Sequence, residues 1–416
     1  MKSDDPVPLA GDVIGNTAYS QRFVLKQLLN LANDTLKDET ESKAFEENLC
    51  TLWDMTTEKD VALFLHQHNA LNLIHFALPF GSTRIKEILF GIIGNMCCQK
   101  QIAADILKMD NLLRELFDSL KTDETTIIIQ LLRLMTTCLC MAESDDLSVW
   151  MDLFIETEHS SVLYCYLECS ADKELLTGAL DHLNTICGYF NTDKYRAHFF
   201  NHFVKDKALQ SLVTAFTEIT QSHISDCEMH DLEMILVISL NIAINLVGFE
   251  NSLVFYKDNI EDILTIINPT LNYYVNKLVD QKEIDTDLID IVDTINAIVK
   301  MLKLSTTSEP EKFFNQSFKM WKTVCLLTES ERNGSDFEEE NVEEKHNLTL
   351  KLKASLGTLV CMYIAQCSEE NLIKVSDSFG KYHEEMVMSL KDKELVTEVL
   401  KRVENYHTRL KETLHS

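Results

Sequence analysis

The sequence predicts an all-α chain, an armadillo/HEAT-like α-solenoid of stacked helix pairs or triplets. Three observations predict it. Breakers are scarce: 416 residues hold 11 glycines and 5 prolines, too few for the turns of a sheet protein. Apolar residues recur at helical spacing in segment after segment, with no convincing β-alternation between them. The segments are many, short and joined by short polar connections. A compact bundle uses fewer, longer helices, whereas repeats of ~40–47 residues reproduce this rhythm.

Taken in order, residues 1–15 read as a flexible tail. A first helix is predicted from about Tyr19 to Leu31, with Phe23, Val24, Gln27, Leu28 and Leu31 at helical spacing. "FEENLCTLWDM" buries Phe45, Leu49, Leu52 and Trp53, and Thr56 or Thr57 is the expected N-cap of the next helix. "ALNLIHFALP" stops at Pro79. Further helical segments are predicted at 84–98, 102–108, 111–120, 125–142, 147–155, 161–169, 173–190, 195–203, 206–221, 230–249, 252–267, 271–280, 284–304, 311–327, 347–366, 369–379 and 382–414. The repeats with their N-terminal cap occupy 16–327. Residues 328–347, "TESERNGSDFEEENVEEKHN", are too acidic to bury and are expected to be a disordered loop. Residues 348–416 hold the last repeats and a capping helix whose stripe is Val396, Val399, Val403, Tyr406, Leu410 and Leu414.

The formal charge of −28 repels phosphate backbones and anionic bilayers, so neither nucleic acid nor membrane is an expected partner. It suits solubility, or a partner with basic segments. No charged-then-apolar leader pattern opens the sequence. The longest uncharged run, Met234 to Phe249, falls short of the ~20 residues that span a bilayer. The twelve cysteines are expected as reduced thiols.

"RIKEILFGIIGNMCC", Arg84 to Cys98, is apolar over a wide helical arc and so belongs to an inner helix. Gly91 and Gly94 share a face and admit a close neighbour. Cys97 and Cys98 are adjacent and point apart, unlike a C-x-x-C metal pair. Asn95 is the exception in this run. An asparagine on the inner helix of a repeat can hydrogen-bond the backbone of an extended peptide, since one amide both donates and accepts. Asn184, Asn245 and Asn296 sit comparably, with Arg84 and Glu87 as side contacts. The alternative is that these amides satisfy local backbone groups.

"GDVIGNTAYS" (Gly11–Ser20), "LWDMTTEKDVALFL" (Leu52–Leu65) and "EILFGIIGNMCC" (Glu87–Cys98) together resemble the serum amyloid A-like family. The resemblance implies an armadillo-like, non-enzymatic protein, nuclear more than cytoplasmic and associated with cell proliferation. The family has no established catalytic residues to carry over. Read from the residues alone, "GDVIGNTAYS" is either a cap on the first repeat, pinned by Tyr19 with Gly11 and Gly15 permitting turns, or a docking motif.

No phosphate-cradling glycine loop or serine nucleophile elbow occurs. His66 and His68 are too close to share a helical face. His198 and His202 lie at i and i+4 but lack the Glu of H-E-x-x-H and a third ligand. No catalytic residue, metal or cofactor is therefore expected. The reading is a protein-interaction scaffold whose partners bind along successive inner helices. The rivals are a transport adaptor for basic cargo and an undetected metal-dependent enzyme.

Overall fold

The structure, a computed structural model, describes residues 11–32, 39–223, 229–256, 259–282, 284, 286–302, 310–333, 339–379 and 382–415. Among the described residues there are 22 α-helices and no strand. A lone antiparallel bridge pairs Val13 with Ser20. The chain divides into two units, residues 1–202 and 203–416.

The first unit holds α1 (Gln21–Ala32), α2 (Glu39–Met55), α3 (Lys59–Gln67), α4 (Ala70–Ala77), α5 (Thr83–Met96), α6 (Lys100–Ile106), α7 (Asp110–Ser119), α8 (Thr125–Met141), α9 (Asp146–Glu156), α10 (His159–Cys169) and α11 (Lys173–Phe190). Two short helices and one long one recur three times: α3–α5, α6–α8 and α9–α11. The long helices α2, α5, α8 and α11 pack side by side in that order. This explains the sequence of α5, whose residues Ile88 to Met96 are all buried because neighbours cover it on both flanks. Each such Leu or Ile contributes about 1.5–3 kcal/mol by leaving water. Ser82 caps α5 by accepting from the Ile85 N–H at 3.3 Å, and Asp172 caps α11 through the Leu175 N–H at 2.8 Å.

Two glycines are required by contact. A Cβ on Gly91 would stand 2.2 Å from Trp53 Cε2, so the indole lies directly on the α5 backbone. Gly15 has φ +51°, and a Cβ there would meet Asp60 Oδ2 at 2.1 Å. That second contact belongs to a folded N-terminal block: Asn16 N–H donates to Asp60 at 2.9 Å, Ser20 Oγ to Asp12 at 2.6 Å, and Ile14 is 2% exposed. The flexible tail expected over 1–15 thus gives way to ordered chain from Gly11; residues 1–10 lie outside the described residues. Neither expected threonine caps α3. The Thr56 and Thr57 hydroxyls turn back to the Trp53 and Asp54 carbonyls, and Glu58 is the N-cap without a side-chain bond.

α12 (Arg196–Phe203) ends at the boundary between the units. The second unit holds α13 (Asp206–Thr217), α14 (Met229–Val247), α15 (Leu253–Tyr256), α16 (Ile260–Gln281), α17 (Thr286–Met301), α18 (Pro310–Asn333), α19 (Glu339–Gln366), α20 (Glu369–Phe379), α21 (His383–Ser389) and α22 (Lys393–His415). α14, α17, α19 and α22 pack in succession, and α13, α16, α18 and α20 form a companion row. The fold is therefore all-α, built from neighbouring helices stacked in series. Arg402 of α22 bonds the Ala365 and Cys367 carbonyls at 2.7 and 2.6 Å, satisfying the C-terminal end of α19.

Several segment limits differ from expectation. α16 runs unbroken through Pro269, where two segments were predicted; a proline removes one helical bond without ending a helix that packing holds. The segment 382–414 is two helices, broken at residues 390–392. α18 reaches Asn333 and α19 starts at Glu339, so helix extends into both sides of the stretch expected to be disordered; Glu is a good helix former. Residues 334–338 lie outside the described residues.

α14 and the His346–Gln366 part of α19 are long and apolar enough to cross a membrane, with mean hydropathy 1.5 and 1.3. α14 is thus longer than the apolar run that first marked it. Its surroundings are protein: it packs on α13, α16 and α17, and α19 on α17, α18, α21 and α22.

Candidate interaction face

In the row α2–α5–α8–α11 of the first unit, α8 and α11 turn a stripe outward, while α5 is exposed only in its first turn. Arg84 opens α5. It bonds Glu87 at 2.6 Å and reaches Glu46 of α2 at 3.8 Å and Cys50 Sγ at 3.6 Å. The Glu87 carboxylate is the main reason the guanidinium holds its proton more tightly than usual. Arg84 and Glu87, expected as side contacts of a groove, are bonded to each other.

Asn95 is placed differently. It is 4% exposed. Its Nδ2 donates to the Trp53 carbonyl at 3.2 Å and to Thr56 Oγ1 at 3.0 Å, while its Oδ1 accepts from Arg133 Nη2 at 2.8 Å. Both amide protons are engaged inside the protein, so the side chain joins α2, α5 and α8 rather than facing solvent.

The α8 stripe is Arg133, Thr137 and Cys140, and the α11 stripe is Asp181, Asn184 and Gly188, each at helical spacing. Partial burial is the main cause that raises the Cys140 thiol pKa, so the thiol stays protonated. Asn184 is half-buried, and its amide makes no hydrogen bond to any described residue.

Beneath this face lies a histidine pair that sequence spacing did not reveal. Thr136 Oγ1 meets His182 Nδ1 at 2.9 Å, and His182 Nε2 meets His159 Nε2 at 3.0 Å. His159 and His182 are 1% and 0% exposed. Phe154 stacks on His159 with centroids 4.7 Å apart, and Phe117 meets its edge. Desolvation drives both pKa values down, that of His182 to about 3, so both rings are neutral. His159 Nδ1 has no partner among the described residues. We assign it as the unprotonated nitrogen: His159 then donates to His182, and His182 to Thr136, leaving no N–H orphaned.

The other two asparagines lie in the second unit. Asn245 Nδ2 donates to the Asn241 carbonyl of its own helix at 2.7 Å, the local alternative raised by the sequence. Asn296 Nδ2 donates to the Ser355 carbonyl at 2.9 Å and so ties α17 to α19, while its Oδ1 is buried without a partner among the described residues. Asn296 borders a cavity of about 600 Å³ that also meets Lys300, Gln366, Asp392, Glu394 and Glu398.

His66 pairs with Asp105 at 3.1 Å. Among the described residues no group of three or more His, Cys, Asp and Glu side chains is placed to hold a metal ion, and His198 and His202 are not joined by a third ligand. Every described cysteine is a free thiol.

No protein-family model matches the chain. The chain is similar to Protein SAAL1 of Homo sapiens, 31% identical over 176 residues, which are 39% of this chain and 36% of that protein. Protein SAAL1 of Mus musculus is 31% identical over 41% of this chain and 38% of its own length. Protein saal1 of Danio rerio is 27% identical over 38% and 36%. The chain thus matches well under half the length of these relatives. Among solved structures, a crystal structure of an engineered protein superposes with a TM-score of 0.44 at 14% identity, covering 66% of this chain and 97% of that one. At that score the likeness supports no inference.

Proposed function

We propose that the chain is a non-enzymatic, intracellular protein-interaction scaffold of the serum amyloid A-like family, nuclear more than cytoplasmic, that supports cell proliferation by holding partner proteins. One observation carries the reading: α8 and α11 present adjoining outward stripes, Arg133, Thr137, Cys140 and Asp181, Asn184, Gly188, with Arg133 held from beneath by buried Asn95 and with Arg84 reaching Glu46 at the edge of the same row. Such a surface is held rigid before a partner arrives, which lowers the ordering cost of binding. The similarity to the SAAL1 proteins supports the family. The charge of −28 argues against direct nucleic-acid or membrane partners.

Proximity labelling in cells, read by mass spectrometry, tests this. The Arg84→Glu, Asn184→Arg double variant is expected to stay folded, with a melting temperature lowered by the like charges beside Glu46 and Glu87, and to lose a defined set of labelled proteins. An identical set from variant and wild type removes the face as the binding surface.

A second reading, an adaptor carrying basic cargo, is favoured by the cavity at Asn296, whose rim holds Asp392, Glu394 and Glu398 against Lys300. Cargo held this way dissociates as salt rises past ~0.15 M, whereas partners on the first unit's face do so less.

A further inference from the structure

In the second unit the regular helix of α13 ends at Thr217 and widens into a π turn, Glu218–Ser222. With α14, α16 and Lys312 at the start of α18, this turn walls a cavity of about 670 Å³. Ligand sites commonly fall between ~300 and 1,000 Å³. Three features say what would fill it.

One is an unmet hydrogen bond. Asn268 lines the cavity and is 7% exposed, and its Oδ1 is buried with no partner among the described residues. An acceptor left so costs about 1–3 kcal/mol. Beside it, Pro269 has no N–H, so the Thr265 carbonyl, also on the cavity wall, lacks its helical donor from residue 269.

Another is spacing. Asn268, Asn272 and Asn276 stand at i, i+4 and i+8 on α16, with Gln221 of the π turn on the same cavity. Successive asparagines are ~6.0 Å apart along the helix, and alternate residues of an extended chain ~6.6 Å apart. Across the three the two repeats drift by only about 1 Å.

The third is charge. The lining holds Glu261 and Asp280 against Lys277 and Lys312, and Lys277 is already bonded to Glu233 at 2.7 Å. With Lys277 taken by Glu233, one negative charge is left over, which offers nothing to a phosphate and too little to select an ammonium group. Carboxamides that both donate and accept match one chemistry above others, the peptide main chain.

We propose that this cavity binds an extended peptide segment of a partner protein through its backbone, with Asn272 and Asn276 bonding alternate peptide groups and the Asn268 amide, its Oδ1 covered in the free protein, turning to accept a backbone N–H. The proposal rests on the scaffold reading and adds to it a second site, in the other unit, with a defined mode of recognition.

A library of linear peptides displayed on phage, panned on the full chain, supplies the probe. The tightest peptide is then synthesised and its Kd measured. Asn272→Ala with Asn276→Ala, both at exposed positions, is expected to weaken binding about tenfold or more. Asn268→Leu is expected to weaken it as much while leaving the melting temperature equal or higher, since it deletes an unpaired buried acceptor. N-methylation along the peptide is expected to abolish binding at alternate positions only. Recovery of no peptide, equal affinity for all these variants, or insensitivity to N-methylation overturns the proposal. Peptides lost with Arg84→Glu, Asn184→Arg but kept by the cavity variants overturn it too, while leaving the first unit's face standing.

Discussion

Asn95 and Asn268 are both buried asparagines on long helices, exposed by 4% and 7%, yet their surroundings are opposite. Around Asn95 every amide proton has a partner, and the side chain is a joint between three helices. Around Asn268 an oxygen is left unpaired next to a cavity, a proline inside a helix and a π turn. The same residue type thus marks a finished interior in one unit and an unfinished one in the other. A buried amide becomes evidence of binding only when its valences are left over.

The sharpest way to break the comparison is acid. His159 and His182 belong to the finished interior as neutral rings, with pKa values pushed below the ordinary 6.5. The unfolded chain binds protons on them near pH 6.5, and the folded chain does not until far lower. Their stabilising contribution is complete above ~6.5 and is lost as pH falls from there, for His182 down toward 3, at up to about 1.4 kcal/mol per pH unit for each ring. Urea midpoints between pH 7.5 and 4.5 are expected to fall for the wild type and to fall less for His159→Phe. An equal slope in both would show that the pair is not neutral and dry.

Gly91→Ala comes next. It forces a methyl against the Trp53 ring and is expected to cost about 3 kcal/mol, of which Trp53→Ala in the same chain recovers part, as a double-mutant cycle in urea measures. Asn95→Ala leaves Arg133 and Thr56 without their amide partner and is expected to cost about 2 kcal/mol. Asn268→Leu sharpens the contrast because its sign is opposite, a gain of up to about 1 kcal/mol by the same measurement. The smallest effect belongs to Asn184→Ala, within about 0.5 kcal/mol of wild type, because its amide bonds no described residue.

Helix periodicity made the fold legible. The segment 369–379 coincides with α20, and 125–142 with α8 to within a residue. Where the reading slipped, tertiary packing overrode a local signal: Pro269 does not end α16, and glutamates beyond 328 do not end α18. The pairing of Arg84 with Glu87 went unread although i, i+3 neighbours meet on any helix. The burial of Asn95 was not legible, because its partners Trp53, Thr56 and Arg133 stand about forty residues away in sequence on either side. The His159–His182 pair was hidden for the same reason, across two helices. The stripe Asn268, Asn272, Asn276 went unread, because only the cavity beside it gives that spacing a meaning.

Arg402 carries a further consequence. Its guanidinium plugs the last carbonyls of α19 from a different helix, so the end of α19 is closed by residues that are translated some thirty-five positions later. A nascent or shortened chain that stops ahead of residue 402 leaves those carbonyls to water. Fraying would then begin at Gln366 and run back toward Met362 and Thr358, dissolving one wall of the acidic cavity beside Asn296. Fusion partners for cell experiments accordingly belong after α22, never in place of it.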